Sequence, residues 1–166
     1  MGGMNMHEAV ELLDKQIVNP SAGLPEEVFL FVSRLIPLVN VDLLIKDEKG
    51  RTLLSWRDDQ YAGAGWHLPG GILRFKEKLE ARVRKVAETE IGLPVEFDPV
   101  SIALNQIVCE HATRGHFISI LYKCFLSEKC VLKNIGLTEG ERGYLKWHSA
   151  CPPNLVKVHE IFREYI

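Results

Sequence analysis

Residues 6–18 place Ala9, Val10, Leu12, Leu13 and Ile17 near helical spacing, and the run Asn19-Pro20-Ser21-Ala22-Gly23 stops that helix. Pro25 starts a second expected helix, running to about Leu35. After Pro37 the period changes. Leu38 to Ile45 is strand-like, Asp47-Glu48-Lys49-Gly50 is a turn, and Arg51 to Trp56 forms the returning arm of a β-hairpin. Trp66-His67-Leu68 is a short strand leading into Pro69-Gly70-Gly71, and Glu77 to Ile91 is helical again until Gly92 and Pro94 end it. Val95 to Val108, Phe117 to Leu126 and Tyr144 to Trp147 read as further strands, with Asn154 to Tyr165 as a closing amphipathic helix. Hairpins mixed with helix-linked strands imply an α/β fold, a mixed sheet covered by helices on both faces. With no repeat or linker, residues 1–166 are expected to form one domain, 1–35 being a helical extension packed on it.

Composition narrows the classes. A chain of 166 residues, 46% apolar and 25% charged, is long enough to bury a sizeable core, which argues against disorder. Its 20 basic and 22 acidic residues leave a formal charge of −2, so no global field draws in nucleic acid or an anionic membrane. An anionic ligand must then be held by local charges or a metal. Cys109, Cys124, Cys130 and Cys151 are spaced too irregularly for paired zinc ligands and are expected to be reduced and mostly buried. The most apolar stretch, Val28 to Ile45, is interrupted by Ser33, Arg34, Pro37, Asn40 and Asp42, so it cannot cross a bilayer as one apolar helix. Without a secretory pattern at the N-terminus, a cytoplasmic protein is expected.

One residue is out of place. On a regular helix Leu79, Val83 and Val86 fall within about 40° of one another and form the buried stripe, and Glu90 falls in the middle of it. An inward carboxylate is costly unless bonded, paired or bound to a metal, although one turn from the helix end it could also swing into water. Gly70 and Gly71, after a strand and ahead of that helix, let backbone approach a ligand closely and expose a carbonyl. Together these form a strand-loop-helix device suited to a cation and a phosphate.

Here the sequence resembles the Nudix hydrolases, whose signature is G-x5-E-x7-R-E-U-x-E-E-x-G-U with U a bulky apolar residue. Gly71, Glu77 and the run Lys85-Val86-Ala87-Glu88-Thr89-Glu90-Ile91-Gly92-Leu93 keep that spacing without insertion or deletion. Lys85 replaces the Arg, and Val86 and Thr89 stand where two metal-binding glutamates are expected. That reduced set resembles the GDP-mannose mannosyl hydrolase branch, as do Leu38 to Leu43 and the strand ending in Leu53-Leu54-Ser55-Trp56-Arg57.

The resemblance implies a Nudix-like α/β/α sandwich and an Mg2+-dependent hydrolase, with Mn2+ able to replace Mg2+. The substrate would be a nucleoside diphosphate sugar, attacked by water at the anomeric carbon, and the expected assembly is a homodimer. Residue by residue, it makes the Gly70 carbonyl, Glu90 and Glu141 the metal ligands and places Arg57 on the diphosphate. Asp42 would lie at the guanine or sugar side of the cleft, and Lys85 would support the loop or Glu90 electrostatically. The branch has an Arg after its Gly-Gly pair. This chain has Ile72 there and Arg74 two residues later. The branch's general-base His aligns to Arg142, so Glu139, Glu141, His111 or His116 would have to act. Two other readings remain open, a conventional Nudix enzyme that cuts the diphosphate and a silent domain that binds a nucleotide or protein.

Overall fold

The computed structural model describes residues 5–166, so the first four residues of the expected extension lie outside the described residues. Helix α1 spans Met6–Gln16 and opens with a capping box. The Asn5 side chain accepts the Glu8 amide at 3.0 Å while the Glu8 carboxylate accepts the Asn5 amide at 2.9 Å. It buries no side chain. Helix α2, Glu26–Val32, begins after Pro25 and buries Val28.

Strand β1, Leu38–Lys46, is the centre of the fold and has a buried run from Val41 to Ile45. It pairs in parallel with β7, His116–Phe125, from Leu38↔Phe117 to Lys46↔Phe125. On its other side it pairs antiparallel with β4, Gly70–Ile72, through Asn40↔Ile72, Val41↔Gly71 and Asp42↔Gly70. Strand β2, Thr52–Asp59, joins β1 at Lys46↔Thr52 and carries β3, Gly63–His67, and β8, Leu145–His148. A strand flanked on both sides and covered on both faces is buried at successive residues, which is why, Asp42 apart, Val41 to Ile45 is apolar without the alternation of a half-exposed strand.

Adjacent residues of β1 feed separate cores. Leu43 packs in a cluster with Val83, Val86, Ile91 and Tyr122, whereas Leu44 packs with Leu54, Trp66, Leu121 and Phe162. Helix α3, Leu79–Val86, covers the first face. It runs into a single π turn, Ala87–Ile91, in which the Gly92 amide bonds the Ala87 carbonyl at 2.9 Å and Gly92 turns left-handed at φ 71°. The mixed sheet with helices on both faces matches the sequence expectation.

Two expected elements come out differently. The single strand over Val95 to Val108 is split into β5, Glu96–Phe97, and β6, Ala103–Val108, and both pair with β7. Between them lies Asp98-Pro99, where the Asp98 carboxylate turns back onto the Val100 amide. The closing helix shrinks to a 3-10 segment, Lys157–Phe162. Its expected first turn is extended instead, because the Trp66 amide bonds the Asn154 carbonyl and the Val156 amide bonds the Trp66 carbonyl, each at 2.9 Å. All four cysteines are free thiols, and burial pushes that of Cys124 up to about 12. Among the described residues no helix is long and apolar enough to cross a membrane.

Candidate active site

A cavity of about 740 Å3 opens where β1, β4 and the π turn meet, large enough for a nucleotide-sized ligand. Its polar lining divides into two groups. The first comprises Asp42, His67, Glu90 and His159, with the Gly70 backbone. Asp42 is fully buried, where Ser119 Oγ donates to its Oδ2 at 2.5 Å and Asn40 Nδ2 donates to Oδ1 at 2.8 Å. Burial raises its pKa to about 6 against those two bonds and nearby His67, and the charge of Glu90 adds to the rise. Gly70 is required beside it, since a Cβ there would lie 2.3 Å from Asp42 Oδ1.

Glu90 faces this cavity rather than a dry core, with about a third of its side chain exposed and its carboxylate 3.4 Å from the Gly70 amide. The π turn explains the difference from helical-wheel arithmetic. One residue more per turn rotates position 90 away from the Val83 and Val86 stripe, and those two stay buried. Glu90 Oε2 is also 3.7 Å from His67 Nε2. His67 Nδ1 lies 2.8 Å from the Ser55 carbonyl, which can only accept, so Nδ1 carries a proton and Nε2 is the ring nitrogen turned toward Glu90. His159 is set the other way. Its Nδ1 accepts the Leu68 amide at 3.1 Å, and burial, reinforced by His67 and Arg57, keeps the ring neutral.

The second group is cationic, with Arg57, Arg114, Lys133 and Arg142 joined by Asp59. Arg57 Nε donates to Asp59 at 2.5 Å, and Asp59 also accepts the Tyr61 and Ala62 amides at 2.9 Å each. Those bonds outweigh burial and hold Asp59 below the usual carboxylate range.

Of the residues singled out from the sequence, Asp42, Arg57, Gly70 and Glu90 come together at the cavity, as do Gly71, Ile72, Glu88, Thr89 and Arg142, whereas Arg74, Glu77, Lys85, His111, His116, Glu139 and Glu141 do not line it. Glu141 is tied back to the Thr138 amide and hydroxyl, which lower its pKa, and exposed Glu139 pairs with Lys146 at 2.8 Å. Lys85 pairs with Glu88 at 3.0 Å on the helix surface. Arg74 packs its guanidinium against Gly23, with its amide on the Glu77 carboxylate. Glu77 is occupied by Arg82 at 2.7 Å, so it anchors the loop to α3. His111 packs on Tyr61, and His116 bonds Gln106.

Sequence reasoning missed His67, His159 and Arg114. Alternation along the short strand could have signalled His67, since Trp66 points into the core. No local pattern marks Arg114, whose turn reaches the site only through the fold.

Comparison with solved structures places this architecture. The MutT Nudix hydrolase of Burkholderia pseudomallei superposes with a TM-score of 0.63 at 22% identity, over 79% of this chain and 98% of that one. The chain has the Nudix fold. The Nudix domain of Shewanella oneidensis NrtR, solved with ADP-ribose, matches at a TM-score of 0.55 and 18% identity, over 87% of this chain and 92% of that one. In sequence, the chain is 32% identical over 83 residues to the low-salt glycan biosynthesis protein Agl8 of Haloferax volcanii, over 50% of this chain and 53% of that protein. The matched stretch therefore spans about half the length of that relative. No protein-family model matches it.

Proposed function

We propose that this Nudix-fold chain hydrolyses a nucleoside diphosphate sugar of the GDP-mannose kind with Mg2+, or Mn2+ in its place, by water attack at the anomeric carbon. The observation that carries the reading is the state of the two positions where a phosphorus-attacking Nudix enzyme places carboxylates. Val86 is buried in the core, its Cγ2 2.9 Å from where a Gly71 Cβ would stand, and the Thr89 hydroxyl is turned onto the Lys85 carbonyl at 2.8 Å. Glu90 is thus the signature carboxylate left facing the ligand space. The glycan-biosynthesis name of the Haloferax relative is consistent with a sugar nucleotide.

The residues fit one hard cation. Among the described residues no three His, Cys, Asp or Glu side chains are grouped to enclose a metal. Glu90 with the Gly70 carbonyl instead makes the sparse oxygen set with which Mg2+ binds phosphates, keeping its other positions for phosphate oxygens and water. When bound, the ion neutralises charge on the departing diphosphate. Arg57 supplies further positive charge there. In its neutral form His67, whose Nε2 faces the cavity, takes the proton of water as the water oxygen bonds to the sugar carbon. The bond from that carbon to the diphosphate oxygen breaks, releasing sugar and nucleoside diphosphate. Hydrolysis of GDP-mannose in oxygen-18 water, read by mass spectrometry, tests this. Label in the sugar is expected. Label in a phosphate product would make the chain a conventional diphosphate hydrolase, and binding without turnover a silent domain.

A further inference from the structure

The connection from β6 to β7 brings a cation to the cavity that neither the signature nor its spacing assigns. Arg114 sits at φ 56°, a left-handed conformation that non-glycine residues rarely adopt, so the turn aims this side chain at a cost. Its guanidinium carbon lies 4.4 Å from the Tyr61 ring centroid and 5.6 Å from that of Phe29. Its amide lies 3.3 Å from Ser33 Oγ, so α2 and the residue after it support both side chain and backbone. Aromatic faces fix the plane of a guanidinium without using its hydrogen-bond donors. Arg114 Nε is buried with no hydrogen-bond partner.

Charge accounting gives the same direction. Arg57 and Arg114 both line the cavity with Asp59, whose oxygens are already taken by Arg57 and by the Tyr61 and Ala62 amides. Two guanidiniums therefore share one committed carboxylate. Burial and the proximity of Arg57 both disfavour the charge on Arg114, and an anion between them would relieve this. Ile72 leaves the post-glycine position without a cation.

We infer that Arg114 is a substrate-binding residue forming, with Arg57, a two-guanidinium clamp for the diphosphate, and that α2 is its platform. This rests on the nucleotide-sugar reading for the identity of the anion. It makes the N-terminal extension part of the substrate site, with Phe29 and Ser33 acting through Arg114 as positioning residues.

Calorimetric titration of the full chain with GDP and Mg2+ tests the clamp apart from turnover, with guanosine as control. Arg114→Ala should weaken GDP binding by about ten- to a hundredfold, the size of a lost charged hydrogen bond, and leave guanosine unchanged. Arg114→Lys should recover less than half of that loss on a logarithmic scale, since an ammonium lacks the planar stack. Phe29→Leu should raise KM with kcat little changed, which a purely structural role would not produce in a folded variant. GDP binding at wild-type strength in folded Arg114→Ala or Arg114→Lys protein would overturn the proposal. Weakened GDP binding in a chain that turns over no nucleotide sugar would uphold the clamp and remove the nucleotide-sugar reading. Normal KM for turnover in Arg114→Ala would do the reverse.

Discussion

The two charged groups around the cavity are built by different means. Asp42 and Gly70 face each other across paired strands, and Glu90 hangs from a helix whose Val83 and Val86 are buried. Position there is set by main-chain bonds and close packing, with no room for even a methyl group on Gly70. Arg57, Arg114, Lys133 and Arg142 lie at a strand end and on loops, where Arg57 is held by the Asp59 carboxylate and Arg114 by stacking on Tyr61 and Phe29. Changes in the first group should therefore abolish function or folding, whereas changes in the second should be graded in affinity.

The largest effect is expected at Glu90. Glu90→Gln conserves shape, but an uncharged amide is a poor ligand for a hard cation. Turnover should fall by roughly a thousandfold, beyond the loss typical of a residue that only orients a ligand. Mg2+ affinity measured by calorimetry should fall with it, while the melting temperature stays within a few degrees. Wide loss of folded protein would instead place Glu90 with the structural residues. Metal-independent turnover of the unaltered chain would break the comparison at its root.

Next comes pH, through Asp42. Its pKa is about 6 in the fold against 3.8 for the ordinary group, so the native state holds the proton more tightly. Its contribution to stability is complete below pH 3.8 and is lost as pH rises through 6, the reverse of a salt-bridged carboxylate. The loss is on the order of 3 kcal/mol. Urea denaturation from pH 4 to 7 should show the unaltered chain losing stability relative to Asp42→Asn, which cannot titrate. Parallel pH profiles for the two proteins would mean that Asp42 is ionised in place at no cost.

Gly70→Ala should cost about 2 kcal/mol in the same denaturation experiment, the usual price of overpacking a close site, because the methyl meets a carboxylate pinned by Ser119 and Asn40. Weaker Mg2+ binding should accompany it. Unchanged stability would show that β4 can shift from β1, and the first group would then be less rigid than its pairing implies.

These contrasts match what could be read in the sequence. The run Val41 to Ile45, the Gly-Gly pair and the spacing to Gly92 are local patterns set by pairing and packing, and from them come the sheet centre and the cavity-lining Gly70 and Glu90, while Asp42 and Arg57, which also line the cavity, come from the resemblance. The π turn was not legible, because a wheel assumes constant pitch, yet it is what turns Glu90 to the cavity. The closing helix failed because Trp66 claims the backbone of Asn154 and Val156, a partner almost ninety residues away. Arg114 was invisible for the same reason, since its neighbours Phe29, Ser33 and Tyr61 come from other segments.

The smallest effect is expected at Glu141, and it tests where the first group ends. The resemblance assigns this residue to the metal, yet its carboxylate accepts the Thr138 amide and hydroxyl on an exposed loop, and Arg142 and Gly143 line the cavity in its stead. Ligating a cation beside Glu90 would require exchanging both bonds and moving the loop. Glu141→Gln keeps an oxygen able to accept from Thr138, so Mg2+ affinity and kcat/KM should change by less than about twofold, as for an exposed charge. Glu139→Gln, losing only its contact with Lys146, should behave alike. A tenfold loss of Mg2+ affinity in Glu141→Gln alone would show that the loop closes when metal binds. Residues 138–143 would then belong with the rigid carboxylate group rather than with the graded cationic one.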